Sequence, residues 1–206
     1  MKRNLLRIFR SAAIAAIAVV TFSACAAVQA NSGTAQAQEG QGRPSSLFGI
    51  VIGSRSLDDD TAWDQIESPF VVGFEGGTVG DPVGFEVGLS FAGDSTTVSG
   101  VDVTNTFLEL SLGARGVFGD GPLFPYVGGG VALITAEVEG ESGGSSVSDD
   151  DASVGLYGHG GVLYRLGVNF FVGIDARLVT GTSLEIFGID SDADYTQIAA
   201  VLGWGS

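Results

Sequence analysis

Val83-Gly84-Phe85-Glu86-Val87-Gly88-Leu89-Ser90-Phe91 carries a large apolar residue at every odd position and glycine, glutamate or serine at every even one. Successive side chains of an extended strand point to opposite faces, so this stretch makes a strand with one oily face and one small, polar face. Seven other stretches repeat the pattern: Leu47 to Arg55, Phe70 to Gly76, Thr106 to Phe118, Tyr126 to Glu137, Gly155 to Leu166, Phe170 to Val179 and Tyr195 to Gly205. The 33 glycines and the many Val and Phe residues agree with an all-β chain. The pattern predicts an eight-stranded antiparallel up-and-down transmembrane β-barrel, its apolar face outward, preceded by a cleaved signal peptide.

The connections carry independent information. Residues 56–67, 93–104, 139–152 and 181–193 are long and polar, whereas 77–82, 119–123 and 167–168 are short. Strict alternation of long and short links matches barrels with long outer loops and tight periplasmic turns. Strands of about ten residues suffice to cross a bilayer when tilted. The expected location is the outer membrane of a Gram-negative-type bacterium.

The chain begins with Lys2, Arg3, Arg7 and Arg10, then an apolar run from Ala12 to Phe22, then small residues with Val28-Gln29-Ala30 as the cleavage tripeptide. That is the layout of a secretory signal, expected over residues 1–30, and the apolar run is too short to span a bilayer as a helix. The sole cysteine, Cys25, follows Thr21-Phe22-Ser23-Ala24, which resembles a lipobox; the simpler expectation is that it leaves with the leader. Residues 31–44 are Gly/Gln/Ala/Ser-rich and aperiodic, a predicted flexible linker, and 45–206 form the barrel. Beyond residue 30 five arginines face 24 acidic residues, a formal charge of −19 with no lysine. Such acidity argues against nucleic acid as a partner.

The polar face of the predicted strands collects the charges. Arg55, Arg115, Arg165 and Arg177 fall on it, with Glu75, Glu86, Glu109 and Asp175. Enclosed charges must pair, and eight strands leave an interior just wide enough for side chains, so a plugged lumen with a charge network is expected. His159, the only histidine, falls on the same face beside Tyr157 and is expected as a hydrogen-bonded lumen side chain. On the apolar face, Phe48, Phe74, Phe85, Phe118, Tyr164, Phe170 and Trp204 sort to the periplasmic end, and Phe70 and Phe91 to the outer end. This is the layout of interfacial aromatic girdles.

No catalytic constellation is predicted. An inward His159 does not serve a Ser/His/acid set reachable by lipid, and one histidine with a leader cysteine makes no zinc site. No cofactor is implied. Asp58-Asp59-Asp60, Asp149-Asp150-Asp151 and Asp190-x-Asp192-x-Asp194 all fall in predicted outer loops. The last resembles the opening of a calcium loop, but Tyr195 stands at the glycine position and Val201 at that of the bidentate glutamate. Asp190, Asp192 and Asp194 remain a candidate loop site for weak Ca²⁺ or Mg²⁺ capture.

Pro125-Tyr126-Val127-Gly128-Gly129-Gly130-Val131 resembles the Pro-Tyr-x-Gly-x-Gly segment of the outer-membrane β-barrel superfamily that includes OmpA-like, OmpX-like and Opa-type surface proteins. Gly160 to Leu166, followed by Asn169-Phe170 to Arg177, is similar to its next hairpin. The resemblance covers about Ser45 to Ser206 and implies architecture more than activity. It implies a monomer in lipid and lipopolysaccharide, inserted by the barrel-assembly machinery. Such barrels usually end in an aromatic residue; this chain ends Trp204-Gly205-Ser206. An OmpA-like wall tether is not expected. The function expected is non-enzymatic, structural or surface-interacting through the outer loops. The alternatives are a narrow porin-like channel for small solutes or ions and, lower, a lipocalin-like soluble binder with its apolar face inward.

Overall fold

The computed structural model describes residues 42–58, 69–98, 100–143 and 145–206. The predicted signal peptide, Cys25, most of the predicted linker and Asp59-Asp60 lie outside the described residues. Eight strands close into an antiparallel barrel in the order β1-β10-β7-β6-β5-β4-β3-β2. They are β1 (Ser46–Leu57), β2 (Phe70–Thr78), β3 (Gly84–Val98), β4 (Val101–Val117), β5 (Leu123–Ser142), β6 (Ser145–Arg165), β7 (Phe170–Thr180) and β10 (Tyr195–Gly205). A small hairpin, β8 (Leu184–Ile186) and β9 (Ile189–Ser191), lies between β7 and β10.

Alternation sets the two faces as the period-two pattern requires. Phe85, Val131, Leu156, Ile174 and Ile198 are exposed, while Glu86, Ala132, Tyr157, Asp175 and Gln197, one residue along, are buried. A lipocalin-like barrel with an apolar lumen is therefore not the structure of this chain. From Leu47, the paired residues run Gly77, Glu86, Gly113, Gly130, Tyr157, Val179 and Tyr195, and return to β1 at Leu57. That ten-residue offset around the ring is the barrel's stagger, and it goes with strands tilted by roughly 35–45°. Every residue on this row points inward, so one turn of the ladder lines the lumen.

Two predicted loops are corrected. Pairing of β3 with β4 continues to Val98–Val101 and that of β5 with β6 to Ser142–Ser145, so 93–104 and 139–152 are mostly strand. Gly100 and Gly143, with φ of 83° and 60°, serve the turns. Ser95-Thr96-Thr97 and Val101-Asp102-Val103-Thr104 carry β-branched residues suited to a ladder. Their polarity marks where strands leave the apolar band, and pairing runs on past that point. Asp149, Asp150 and Asp151 accordingly sit on β6 and not in a loop.

The lumen is filled in three layers. Leu47, Val117, Phe124, Tyr126, Leu163, Phe171 and Val201 form an apolar cluster at the end where the short links lie. At the other end Val71, Ala92, Phe107, Ala132, Ile134, Ala136 and Val179 pack with Leu184 and Ile186 of the β8–β9 hairpin. Apart from Arg165, the charged lumen side chains lie between these two oily layers. Residues 42–44, the end of the predicted linker, are held at the short-link end: Arg165 Nη2 donates to the Gly42 carbonyl at 2.9 Å, and Arg43 lies 3.6 Å from Asp120.

Candidate functional site

The middle layer contains two linked clusters. Nearer the outer end, Glu109 of β4 accepts from Arg55 Nη2 of β1 at 3.0 Å and from Arg177 Nη2 of β7 at 2.6 Å. The Tyr195 hydroxyl also donates to Glu109 Oε2. Arg55 further donates to Ser90 Oγ at 3.2 Å and Gln197 Oε1 at 3.3 Å. Its guanidinium stacks 3.7 Å over the Tyr195 ring, so cation–π attraction adds to the ion pair. Arg55 is 1% and Glu109 2% exposed, which makes their pairing obligatory.

Deeper in, His159 of β6 stands between two carboxylates. Its Nδ1 lies 3.0 Å from Asp175 Oδ2, and its Nε2 lies 3.0 Å from Glu86 Oε1. Both contacts are hydrogen bonds at once only when each ring nitrogen carries a proton. Tyr126 donates to Asp175 and Tyr157 to Glu86, each at 2.7 Å. Arg115 Nη1 is 3.3 Å from Glu75 Oε1, and its Nε is 3.6 Å from Glu86 Oε2. Tyr157 joins the clusters, because the Arg177 guanidinium lies 4.1 Å over its ring. Glycine supplies the room: a Cβ on Gly128 would overlap the His159 ring and come within 2.9 Å of Glu86 Oε1, and one on Gly113 would overlap the Tyr157 hydroxyl.

Of the predicted lumen charges, Arg55, Glu75, Glu86, Glu109, Arg115, His159, Asp175 and Arg177 are thus brought together. Arg165 is not. It stacks over Phe124 at 4.6 Å and Phe171 at 5.4 Å, bonds the Gly42 carbonyl and, among the described residues, pairs with no carboxylate. Its parity is that of the other arginines, but it is the last residue of β6, beyond the reach of the acids. Tyr126, Tyr195, Gln197 and Ser90 were missed as partners, although inward parity was there to find them.

The candidate cation site does not assemble. Both Asp194 oxygens are occupied: Oδ2 accepts from Thr180 Oγ1 at 2.9 Å and Gly181 N at 3.0 Å, Oδ1 from Thr182 N at 2.9 Å and Thr182 Oγ1 at 2.7 Å. Asp190 is on β9 and Asp192 follows it, and among the described residues no three acidic, histidine or cysteine side chains are grouped to hold a metal. The spacing resembled a metal loop, but the β8–β9 turn takes Asp190 into a ladder with Glu185.

The family model for the outer membrane protein beta-barrel domain matches residues 15–205. The chain belongs to that family. Among solved structures it is similar to the outer membrane protein OprG of Pseudomonas aeruginosa (19% identity, TM-score 0.58, covering 81% of this chain and 98% of that one). It is also similar to Neisserial surface protein A (16%, 0.51, 78% and 96%) and to Ail, the attachment invasion locus protein of Yersinia pestis (12%, 0.51, 80% and 98%). At these identities the likeness is one of fold. No curated protein sequence matches the chain.

In an outer-membrane barrel the short-link end faces the periplasm and the long hairpins face out. Phe48, Trp204 and Phe170 adjoin there across the β1–β10–β7 seam, with ring centroids 6.3 and 5.8 Å apart. Phe74 is corrected: it pairs with Ile50 and Leu89, two residues beyond Phe48 and four beyond Phe85, and so sits inside the apolar band and not at its rim. The charges at the described outer end of the barrel's strands are acidic. Among the described residues, Asp94, Asp102, Glu137, Glu139, Glu141 and Asp150 lie on its strands, and the sequence of the links 56–67, 93–104, 139–152 and 181–193 contains no Lys, Arg or His.

The fit around His159 gives a first test. Gly128→Ala is expected to cost about 1–3 kcal/mol of unfolding free energy, through overpacking against the ring and Glu86. Denaturant titration of the barrel refolded into lipid vesicles measures it. The matched Gly158→Ala change, where the nearest atom would be 4.0 Å away, is expected to cost less than half as much.

Proposed function

We propose that this outer-membrane barrel is a non-enzymatic surface protein that presents an acidic, strand-built platform to cationic partners outside the cell. The observation that carries the reading is the continuation of β3 to β6 past the apolar band as one paired sheet, with carboxylates and no base on it. A rigid, single-sign surface steers partners of opposite charge and repels like charge. Ail, a fold neighbour, has been crystallised with the heparin analogue sucrose octasulfate; the acidic platform here suits the opposite class of partner, a basic protein or peptide. Divalent cations, without a preformed ligand set, would serve as diffuse counter-ions between the platform and lipopolysaccharide.

The remaining parts of the proposal follow from the same architecture. The protein is exported behind a cleaved leader into a Gram-negative-type outer membrane and works as a monomer. The barrel-assembly machinery inserts it into that membrane. The lumen serves as a solid support: among the described residues two oily layers flank the paired charges, which favours a filled interior over a porin-like channel.

Binding measurements on barrels in lipid vesicles test this. Saturable, salt-sensitive binding to a basic protein such as cytochrome-like or lysine-rich probes is expected, with none to heparin. Glu139→Gln with Glu141→Gln and Asp150→Asn should weaken binding several-fold. Equal binding to heparin, or indifference to these changes, would overturn the surface reading. Stepwise conductance in planar bilayers would instead favour the channel.

A further inference from the structure

The segment between β7 and β10 folds back over the outer mouth of the barrel. Leu184 and Ile186 of β8 and Ala193 turn inward onto the lumen's outer apolar layer, while Phe187 and Ile189 at the hairpin tip remain exposed. The two turn residues, Phe187 and Gly188, both have positive φ, 51° and 78°, as a two-residue hairpin turn of the mirror-image type requires. The hairpin is therefore a small folded body and not a trailing loop.

Side chains, in place of a ladder, hold that body to the barrel. The amides of Ser183, Glu185 and Phe187 donate in turn to Ser153 Oγ at 2.8 Å, Asp151 Oδ2 at 2.9 Å and Asp149 Oδ2 at 2.6 Å on β6. At its base the Asp194 carboxylate gathers four donors from Thr180, Gly181 and Thr182, two on each oxygen. Thr182 Oγ1 in turn accepts from the Ala193 amide at 2.8 Å and closes the two ends of the segment on each other.

We propose that the β8–β9 hairpin is a releasable cap on the lumen, latched by Asp194 with Asp149, Asp151 and Ser153, and that acid opens the latch so that the hairpin swings out while the barrel stays folded. With two donors already on each oxygen, a proton can join Asp194 only by displacing one of them. The groups around the latch offer no compensation. Asp58 sends its backbone amide to the Asp194 carbonyl from the end of β1. Asp150 lies beside the β6 acceptors, Glu137 is opposite Asp150 on β5, and Glu185 and Asp190 face each other on β8 and β9. All are acidic. Neighbouring β4 and β10 contribute Phe107 and Tyr195 to the layer beneath.

Titration of Asp194 agrees with this geometry. Partial burial acts to raise its pKa, but the bonds from Thr182, Gly181 and Thr180 outweigh it and hold the carboxyl below the ordinary aspartate value. A group lowered in the folded state contributes stability that is present above its unfolded-state value and is lost as pH falls through the folded one. The cap is thus shut at neutral pH and progressively loses this contribution as pH falls from the ordinary aspartate value toward the lower folded-state one.

Hydrogen exchange read by mass spectrometry, on the full barrel in lipid nanodiscs and corrected for intrinsic rates, tests the latch between neutral pH and about pH 3. Amides of residues 183–191 are expected to lose protection roughly threefold or more in acid, while those of β4 and β10 keep theirs. Asp194→Asn should open the cap at neutral pH and flatten its pH response. Asp190→Asn, which touches no latch bond, should change neither. Unchanged protection of 183–191 in acid would overturn the proposal, as would parallel loss across the barrel or an Asp194→Asn cap that still closes at neutral pH and opens in acid. The wild-type titration stands even if a variant fails to fold.

Discussion

Glu109→Ala is expected to be the most damaging single change in the barrel. It leaves Arg55, Arg177 and the Tyr195 hydroxyl without their common acceptor in a site sealed from water. Breaking a buried pair from one side costs about 3–5 kcal/mol, because the uncompensated charge remains. Two orphaned guanidinium groups place this variant at the upper end, tempered by the Gln197 and Ser90 oxygens that still face Arg55. Urea titration in lipid vesicles, followed by the heat-dependent gel shift of the folded barrel, measures the loss. If Glu109→Ala unfolds at the wild-type midpoint, the cluster is not enclosed. Glu109→Gln should recover part of the loss, since the amide oxygen still accepts.

The second large effect tests the other face. Ile174 is 66% exposed in the isolated chain and sits between Val162 and Ala200, midway along β7 between Phe170 and Leu178. In the membrane that surface meets hydrocarbon. Ile174→Arg is expected to cost about 2–4 kcal/mol, the value for a cation at the bilayer midplane of such barrels. Val168→Arg, in the short β6–β7 link, should cost about 0–1 kcal/mol. The same titration compares them, and equal small effects at both positions would mean that the exposed face does not meet lipid.

The two faces were legible in the sequence because a strand's period of two leaves no intermediate choice. Once Phe85 points out, Glu86 points in, and the same parity carries Arg55, Glu109, Asp175 and Arg177 into one enclosure. Parity gives direction without depth. It put Arg165 with the acids although it stands at the periplasmic rim on Phe124 and Phe171, and it ranked Phe74 with the rim aromatics although its pairs are Ile50 and Leu89. Depth depends on the ten-residue stagger, and the stagger resides in the register between strands, which no single segment encodes. Polarity misled at 93–104 and 139–152 for a related reason: it reports the solvent around a strand and not whether the strand is paired. The Asp194 latch was hidden because its donors, Thr180 to Thr182, lie a hairpin away in sequence.

Because the β5–β6 ladder runs unbroken from Leu123–Tyr164 to Ser142–Ser145, a grip on its tip is a grip on the whole wall of the barrel. A tug outward at Gly143 runs lengthwise down both strands and loads their bonds to β4 and β7 side by side, in shear, where many must fail together. A slack loop would stretch and yield first. Whatever fastens to this platform is moored to the membrane with hardly any give.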